Sequence, residues 1–205
     1  ALGCSLGIGG CAAGIGQRPL QNKGGFTVFS DQRSRRVIFV AHCILNQNAI
    51  SDGTACYPAA HTAVIQAILD AQAGIVQLPC PELCCLGLDR GNPAGADSPV
   101  VVENTRIRAA MMQPEAAARL EQMADDMVRQ MAEYQGHGFE LLGVVGVNRS
   151  PCCGVDTTSD QNQELEGQGV FIQALQAALK RANLSLPVIG IRGTPDAAEA
   201  VRSIL

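Results

Sequence analysis

The sequence has no tryptophan, two tyrosines and five phenylalanines among 205 residues. So few aromatic rings argue against a surface that recognises its ligand by stacking. They favour tight layers packed with small side chains. Positive charge is also scarce: 15 Lys and Arg face 19 Asp and Glu, for a net charge of −4. A protein that coats nucleic acid needs a basic stripe to displace counterions, so that class is set aside. Long apolar runs are missing too. The longest in the body, 141–147, contains glycines and falls well short of the ~20 residues that cross a bilayer. What remains is 47% hydrophobic and 17% charged. That is enough apolar side chain to bury a core, and it excludes global disorder. The length fits one domain, with room for a tail.

Cysteine is the residue in excess, with nine copies. An odd number cannot pair completely, and a chain this rich in core residues has no need of disulfide staples. The cysteines therefore point to metal binding or redox chemistry in a reducing compartment, and the expected location is cytoplasmic. Residues 1–34 read as an N-terminal extension, peripheral or disordered, carrying Cys4 and Cys11. The start is uncharged and lacks the basic stretch of a signal peptide. Gly7, Gly9 and Ala12 formally match a dinucleotide fingerprint, but no strand precedes them and no acidic residue follows in a βαβ setting.

From residue 35 to 205 the pattern alternates. The β-branched run 37–41 predicts a buried strand, as do 75–78, 140–147 and 187–191. Apolar residues at helical spacing predict helices over 59–72, 114–134 and 168–182. Thr194-Pro195 opens a last helix with a cap and a first-turn proline. Strands separated by helices predict an α/β fold: a single Rossmann-like domain with a mainly parallel sheet flanked by helices. Met123, Met127 and Met131 lie on one face of the 114–134 helix and read as core filler. Residues 89–103 and 156–168 read as loops, the second as a candidate lid.

Cysteines follow three of the strands. Cys43 comes after the first, Cys80 after the second, and Cys152 and Cys153 after the third. In an open parallel sheet the C-terminal strand ends share one edge, where ligands bind. Thiols far apart in sequence can therefore converge without any local Cys-x-x-Cys spacing. Three thiolates at one pole suit zinc, with His42 as the nearest fourth ligand, or an iron–sulfur cluster. The plain alternative is that they are small buried hydrophobes. Two rigid turns accompany them. Pro79-Cys80-Pro81-Glu82 sets a carboxylate two residues from a thiol. Ser150-Pro151-Cys152-Cys153-Gly154 adds a hydroxyl. Asn46 and Asn48 offer amides suited to reading a planar heterocycle. His61 and His137 read as structural, and Arg33, Arg35 and Arg36 as a solvated entry to the first strand.

Three segments together resemble the thiouracil desulfidase family and its relatives: His42-Cys43-Ile44-Leu45-Asn46-Gln47-Asn48, Gln77-Leu78-Pro79-Cys80-Pro81-Glu82, and Gly146-Val147-Asn148-Arg149-Ser150-Pro151-Cys152-Cys153-Gly154. The resemblance runs from about residue 31 to 191. It implies a [4Fe-4S] cluster on Cys43, Cys80 and Cys153, with one iron free of any protein ligand and Cys152 as an alternative ligand. It also implies catalytic roles for Glu82 and Ser150, with Asn46 and Asn48 in substrate contact. The implied reaction removes sulfur from a thiolated base, giving the oxo base and hydrogen sulfide. The first motif continues as Asn-Gln-Asn in place of the family's Gly- and Arg-containing run, which leaves the particular thiolated substrate open. Two other readings stand beside this one: a cluster-dependent sulfur transferase, and a metal or redox-binding module without catalysis. The expected partner is a small thiolated molecule, with the chain a monomer or homodimer.

Overall fold

A computed structural model describes residues 29–205. Of these, Arg33–Leu205 form one α/β unit. Cys4 and Cys11, and nearly all of the expected extension, lie outside the described residues.

Four parallel strands make the sheet, in the order β2-β1-β3-β6. They are β1 (Arg36–Val40), β2 (Gly74–Gln77), β3 (Glu140–Val147) and β6 (Val188–Ile191). This is the expected mainly parallel α/β architecture. The central strands are buried from both sides, so β1 and β3 read as nearly unbroken apolar runs. Arg36, at the foot of β1, is structural. Its guanidinium donates to the carbonyls of Ala71 at 2.6 Å and Leu205 at 2.7 Å, and it pairs with Glu140 at 3.0 Å.

Helices cover both faces. On one face α2 (Thr62–Asp70) packs against α7 (Ala197–Arg202). On the other, α5 (Pro114–Gly136) packs against α6 (Val170–Arg181), with α3 (Pro81–Leu86) and α4 (Val100–Met111) against α5. The short α1 (His42–Leu45) follows β1 directly. The apolar stripe of α5 buries Leu120, Ala124, Val128 and Met131, and Met123 and Met127 pack against the same core. Those methionines are core filler, as their spacing predicts.

The structure differs from the sequence expectation in two segments. Residues 100–111 form α4, which the Gly/Pro-rich reading of 89–103 does not anticipate. Its buried face carries Glu103 and Asn104 beside Ile107 and Met111. Two polar residues on the inner face erase the apolar period. Residues 156–168 contain a β-hairpin, β4 (Thr157–Asp160) and β5 (Gln163–Glu166). Its two-residue turn, Gln161-Asn162, has φ of 51° and 61°. Such values suit the turn that matches strand twist in a tight hairpin. The strands are polar because their buried side chains, Thr158 and Ser159, face hydrogen-bonding partners on α4.

Candidate functional site

From β1 the chain passes to β2 on one side of the sheet and later to β3 on the other. The C-terminal edge between β1 and β3 is therefore a topological switch point, the usual place for a ligand in an open α/β sheet. A cavity of about 430 Å³ lies there, and Cys43, Cys80, Glu82, Ser150 and Cys153 all line it. Five residues drawn from three strand ends are thus brought to one place.

Each is positioned by its local chain. Cys43 sits on α1, whose start is fixed by Ala41 N–H donating to the Val145 carbonyl at 2.9 Å. Cys80 is the N-cap of α3, its sulfur accepting from Leu83 N–H at 3.5 Å. Pro81 fills the first helical position, where no N–H is needed. Cys153 ends a turn folded around Ser150, whose Oγ accepts from the backbone N–H of Cys152 at 3.2 Å and of Cys153 at 2.9 Å. That turn also caps α6. The Pro151 carbonyl accepts from Val170 N–H at 3.0 Å, and the Cys152 carbonyl from Phe171 and Ile172 at 3.0 and 3.2 Å. The otherwise unpartnered N–H groups of the helix start hold the turn in place.

Glu82 is buried at 7% exposure, yet its carboxylate is not isolated. Oε2 accepts from Ser51 Oγ at 3.2 Å and from Arg90 Nε at 3.1 Å. Oε1 accepts from Ser150 Oγ at 3.5 Å. The proposed carboxylate and hydroxyl are therefore partners, and a buried ion pair neutralises the carboxylate.

All seven described cysteines are free. Burial, with Cys80 and Glu82 nearby, pushes the Cys43 thiol up to about 12. Burial and Glu82 push Cys80 up to about 11. Burial raises Cys153 well above its ordinary value, and Cys43 and Cys80 raise it further. Cys80 thus acts on both Cys43 and Cys153. Cys152 is fully buried and does not line the cavity. Burial and then Glu82 raise its thiol.

Asn46 and Asn48 are not brought to this cavity. Both are exposed, and Asn46 Oδ1 accepts from the backbone and side-chain amides of Asn48 at 3.1 Å, closing a turn. Asparagine's short amide favours its own backbone in this way. Gln47, between them, is buried on the cavity wall. It donates to the Cys43 carbonyl at 2.7 Å and accepts from Cys56 N–H at 3.0 Å. His42 lines the cavity. Its Nδ1 meets the Gln77 amide at 2.8 Å, while Nε2 is buried without a partner. Burial, then Arg90, lowers its pKa. Among the described residues no three His, Cys, Asp or Glu side chains are grouped to hold a single metal ion, which applies to the zinc arrangement with His42 and to the three cysteines alike. His61 is buried against Tyr57, with ring centroids 4.4 Å apart. Exposed Cys56 lines the cavity, and Cys84 and Cys85 do not.

Sequence reasoning missed Ser51 and Arg90. Arg90 lies in the Asp-Arg-Gly turn that follows α3, and nothing in that turn signals a guanidinium only 2% exposed. Arg108, on α4, clamps the cysteine turn from outside. It donates to the carbonyls of Pro151 at 3.3 Å and Gln168 at 3.2 Å.

No family model matches the chain, and no solved structure does. It is similar to the uncharacterized protein MJ0003 of Methanocaldococcus jannaschii, at 22% identity over 157 residues, covering 77% of this chain and 86% of that protein. That name carries no activity, so the desulfidase resemblance stands on the three motifs alone. Among the described residues no helix is long and apolar enough to cross a membrane.

Proposed function

We propose that the protein is an iron–sulfur-dependent desulfidase of the thiouracil desulfidase type. It removes sulfur from a thiolated nucleobase or similar thiocarbonyl compound, releasing the oxo product and hydrogen sulfide. One observation carries this reading: Cys43, Cys80 and Cys153 line the same cavity as a hydrogen-bonded Glu82–Ser150 pair.

The residues fit a [4Fe-4S] cluster on chemical grounds. Three unpaired thiols, Cys153 buried and Cys43 and Cys80 half-buried, line one cavity, and burial, neighbouring thiols and Glu82 oppose their ionisation. A cationic iron core would relieve that opposition, and thiolate sulfur is its preferred donor. Cys43, Cys80 and Cys153 would hold it. When bound, it would supply a Lewis-acidic iron without a protein ligand, matched to a soft thiocarbonyl sulfur.

The chain's own groups serve the water and the proton. Overall, a thiocarbonyl and water become a carbonyl and hydrogen sulfide, so no electron donor is required. Glu82 takes a proton from the attacking water and returns it to the departing sulfur. Ser150 orients Glu82 through Oε1. An exposed cluster of this kind suits a reducing cytoplasm.

Anaerobic reconstitution with iron and sulfide should give a brown protein with about four irons per chain. It should also release sulfide from a thiolated pyrimidine without any acceptor. Unchanged iron content in Cys43→Ala, Cys80→Ala and Cys153→Ala alike would overturn the ligand set. Glu82→Gln should keep the iron and lose turnover by ~10²-fold or more. Sulfur lost from the pyrimidine only when an electrophilic acceptor is present, and recovered on that acceptor with no free sulfide, would indicate a transferase instead.

A further inference from the structure

Arg90 contributes five N–H donors, and each one meets an acceptor. Nε donates to Glu82 Oε2 at 3.1 Å. Nη1 donates to the carbonyls of Gly87 at 3.1 Å and Leu88 at 2.9 Å. Nη2 donates to the Ala49 carbonyl at 2.6 Å and approaches Cys80 Sγ at 3.9 Å. The side chain is 2% exposed, so water takes no part. A clamp serving only the surrounding loops would be complete with the three carbonyls. The other two donors go to the one carboxylate and one of the three thiols of the pole.

The two Glu82 oxygens are consequently unlike. Oε2 is pinned by Arg90 and Ser51, while Oε1 accepts from Ser150 at a longer 3.5 Å, and the buried Cys152 thiol also hydrogen-bonds the carboxylate. An oxygen held by a guanidinium and a hydroxyl has little lone-pair capacity left for proton exchange. Oε1, without a guanidinium, is the less constrained one.

We propose that Arg90 is the positioning residue of this site. It fixes Glu82 so that Oε1 is the working oxygen, and through its contact with Cys80 Sγ it tunes whatever that sulfur binds. Hydrogen bonds to ligand sulfur are a known lever on the electronics of iron–sulfur centres. Only arginine fits the role. Lysine keeps the charge, but its donors diverge from one point and cannot serve acceptors arrayed around a plane. Both halves rest on the desulfidase reading, and only the pinning of Glu82 Oε2 by Arg90 stands apart from it.

The test compares wild type, Arg90→Lys and Arg90→Ala, each as the full chain reconstituted anaerobically, with 2-thiouracil and 4-thiouracil as probes. Arg90→Lys should load iron to within about twofold of wild type. Its cluster should show a more negative midpoint potential, and kcat should fall at least ~10-fold with KM changed less than ~3-fold. Guanidinium ion should restore Arg90→Ala, and ethylammonium should not. An Arg90→Lys protein with the wild-type potential and kcat overturns the proposal and leaves Arg90 a loop clamp. If neither probe turns over, the potential alone decides. If wild type takes up no iron, the desulfidase reading fails, and Arg90 is judged on the metal-free chain. There its Nε–H should give a 15N resonance protected from hydrogen exchange, and Glu82→Gln should remove that protection. An unprotected Nε–H in wild type overturns the pinning itself.

Discussion

Cys43 and Cys80 differ chemically from Cys56 and Cys84 because of where the fold puts them. Burial holds the first two thiols at about 12 and about 11, against an ordinary 9.0, so near neutral pH they remain protonated. Cys56 and Cys84 are exposed. The thiolate is the nucleophile, and the higher intrinsic reactivity of a high-pKa thiolate only partly offsets its rarity. In the metal-free protein at pH 8, iodoacetamide should label Cys56 and Cys84 first. Cys43 and Cys80 should follow at least ~10-fold more slowly, as read by peptide mass spectrometry. Equal labelling rates would mean the pole is open or already ionised, contrary to its burial. Most residues of this pole could be read in the sequence because each cysteine stands just past a strand. Asn46 and Asn48 could not be placed that way. Their amides have two uses, substrate or turn, and the backbone geometry after α1 selects the turn. Arg90 was invisible for the opposite reason. Only the folded loops supply the acceptors that make its burial tolerable.

The segment between β3 and α6 positions two of the proposed functional residues, and it is built on close approach. A Cβ on Gly169 would lie 2.3 Å from the carbonyl carbon and oxygen of Cys152, and one on Gly146 would lie 2.4 Å from the Cys153 carbonyl oxygen. Both obstructions are backbone, so neither can swing aside. Gly169→Ala should therefore lower stability by ~2–4 kcal/mol in urea unfolding and reduce iron uptake with it. A variant that melts and loads iron like wild type would show that the turn shifts freely and does not preset Cys153. The four sheet strands were legible to within a residue or so, because β-branched runs between helices have few other uses. The β4–β5 hairpin and α4 were not, since each buries polar side chains against the other. Ser159, Asn104 and the Arg149 carbonyl form one hydrogen-bonded set between them. Periodicity of apolar residues cannot report a contact made of hydrogen bonds.

The order β2-β1-β3-β6 explains why thiols so distant in sequence share one cavity, and with the proposed cluster bound the stability of the whole unit would depend on it. Consider the metal-free chain first. Unfolded thiols release protons near pH 9.0, whereas folded Cys43 and Cys80 retain theirs to about 12 and about 11. Between those limits the unfolded state binds fewer protons, so stability must fall as pH rises. His42 and His61 set the acid side. Burial lowers both below the ordinary 6.5, so the unfolded state takes up protons that the folded state refuses, and stability falls as pH drops below that value. Thermal melting of the metal-free protein should accordingly be flat from about pH 6.5 to 9 and decline on either side. With iron and sulfide bound, the thiols are already deprotonated in the folded state, and acid competes with the metal for sulfur. The reconstituted protein should then gain or hold stability from about pH 9 to 10, where the metal-free protein begins to lose it. Opposite slopes above about pH 9 would indicate that these buried thiols grip a common cation. Parallel slopes would leave them ordinary core side chains, with no cluster for Glu82 and Ser150 to serve.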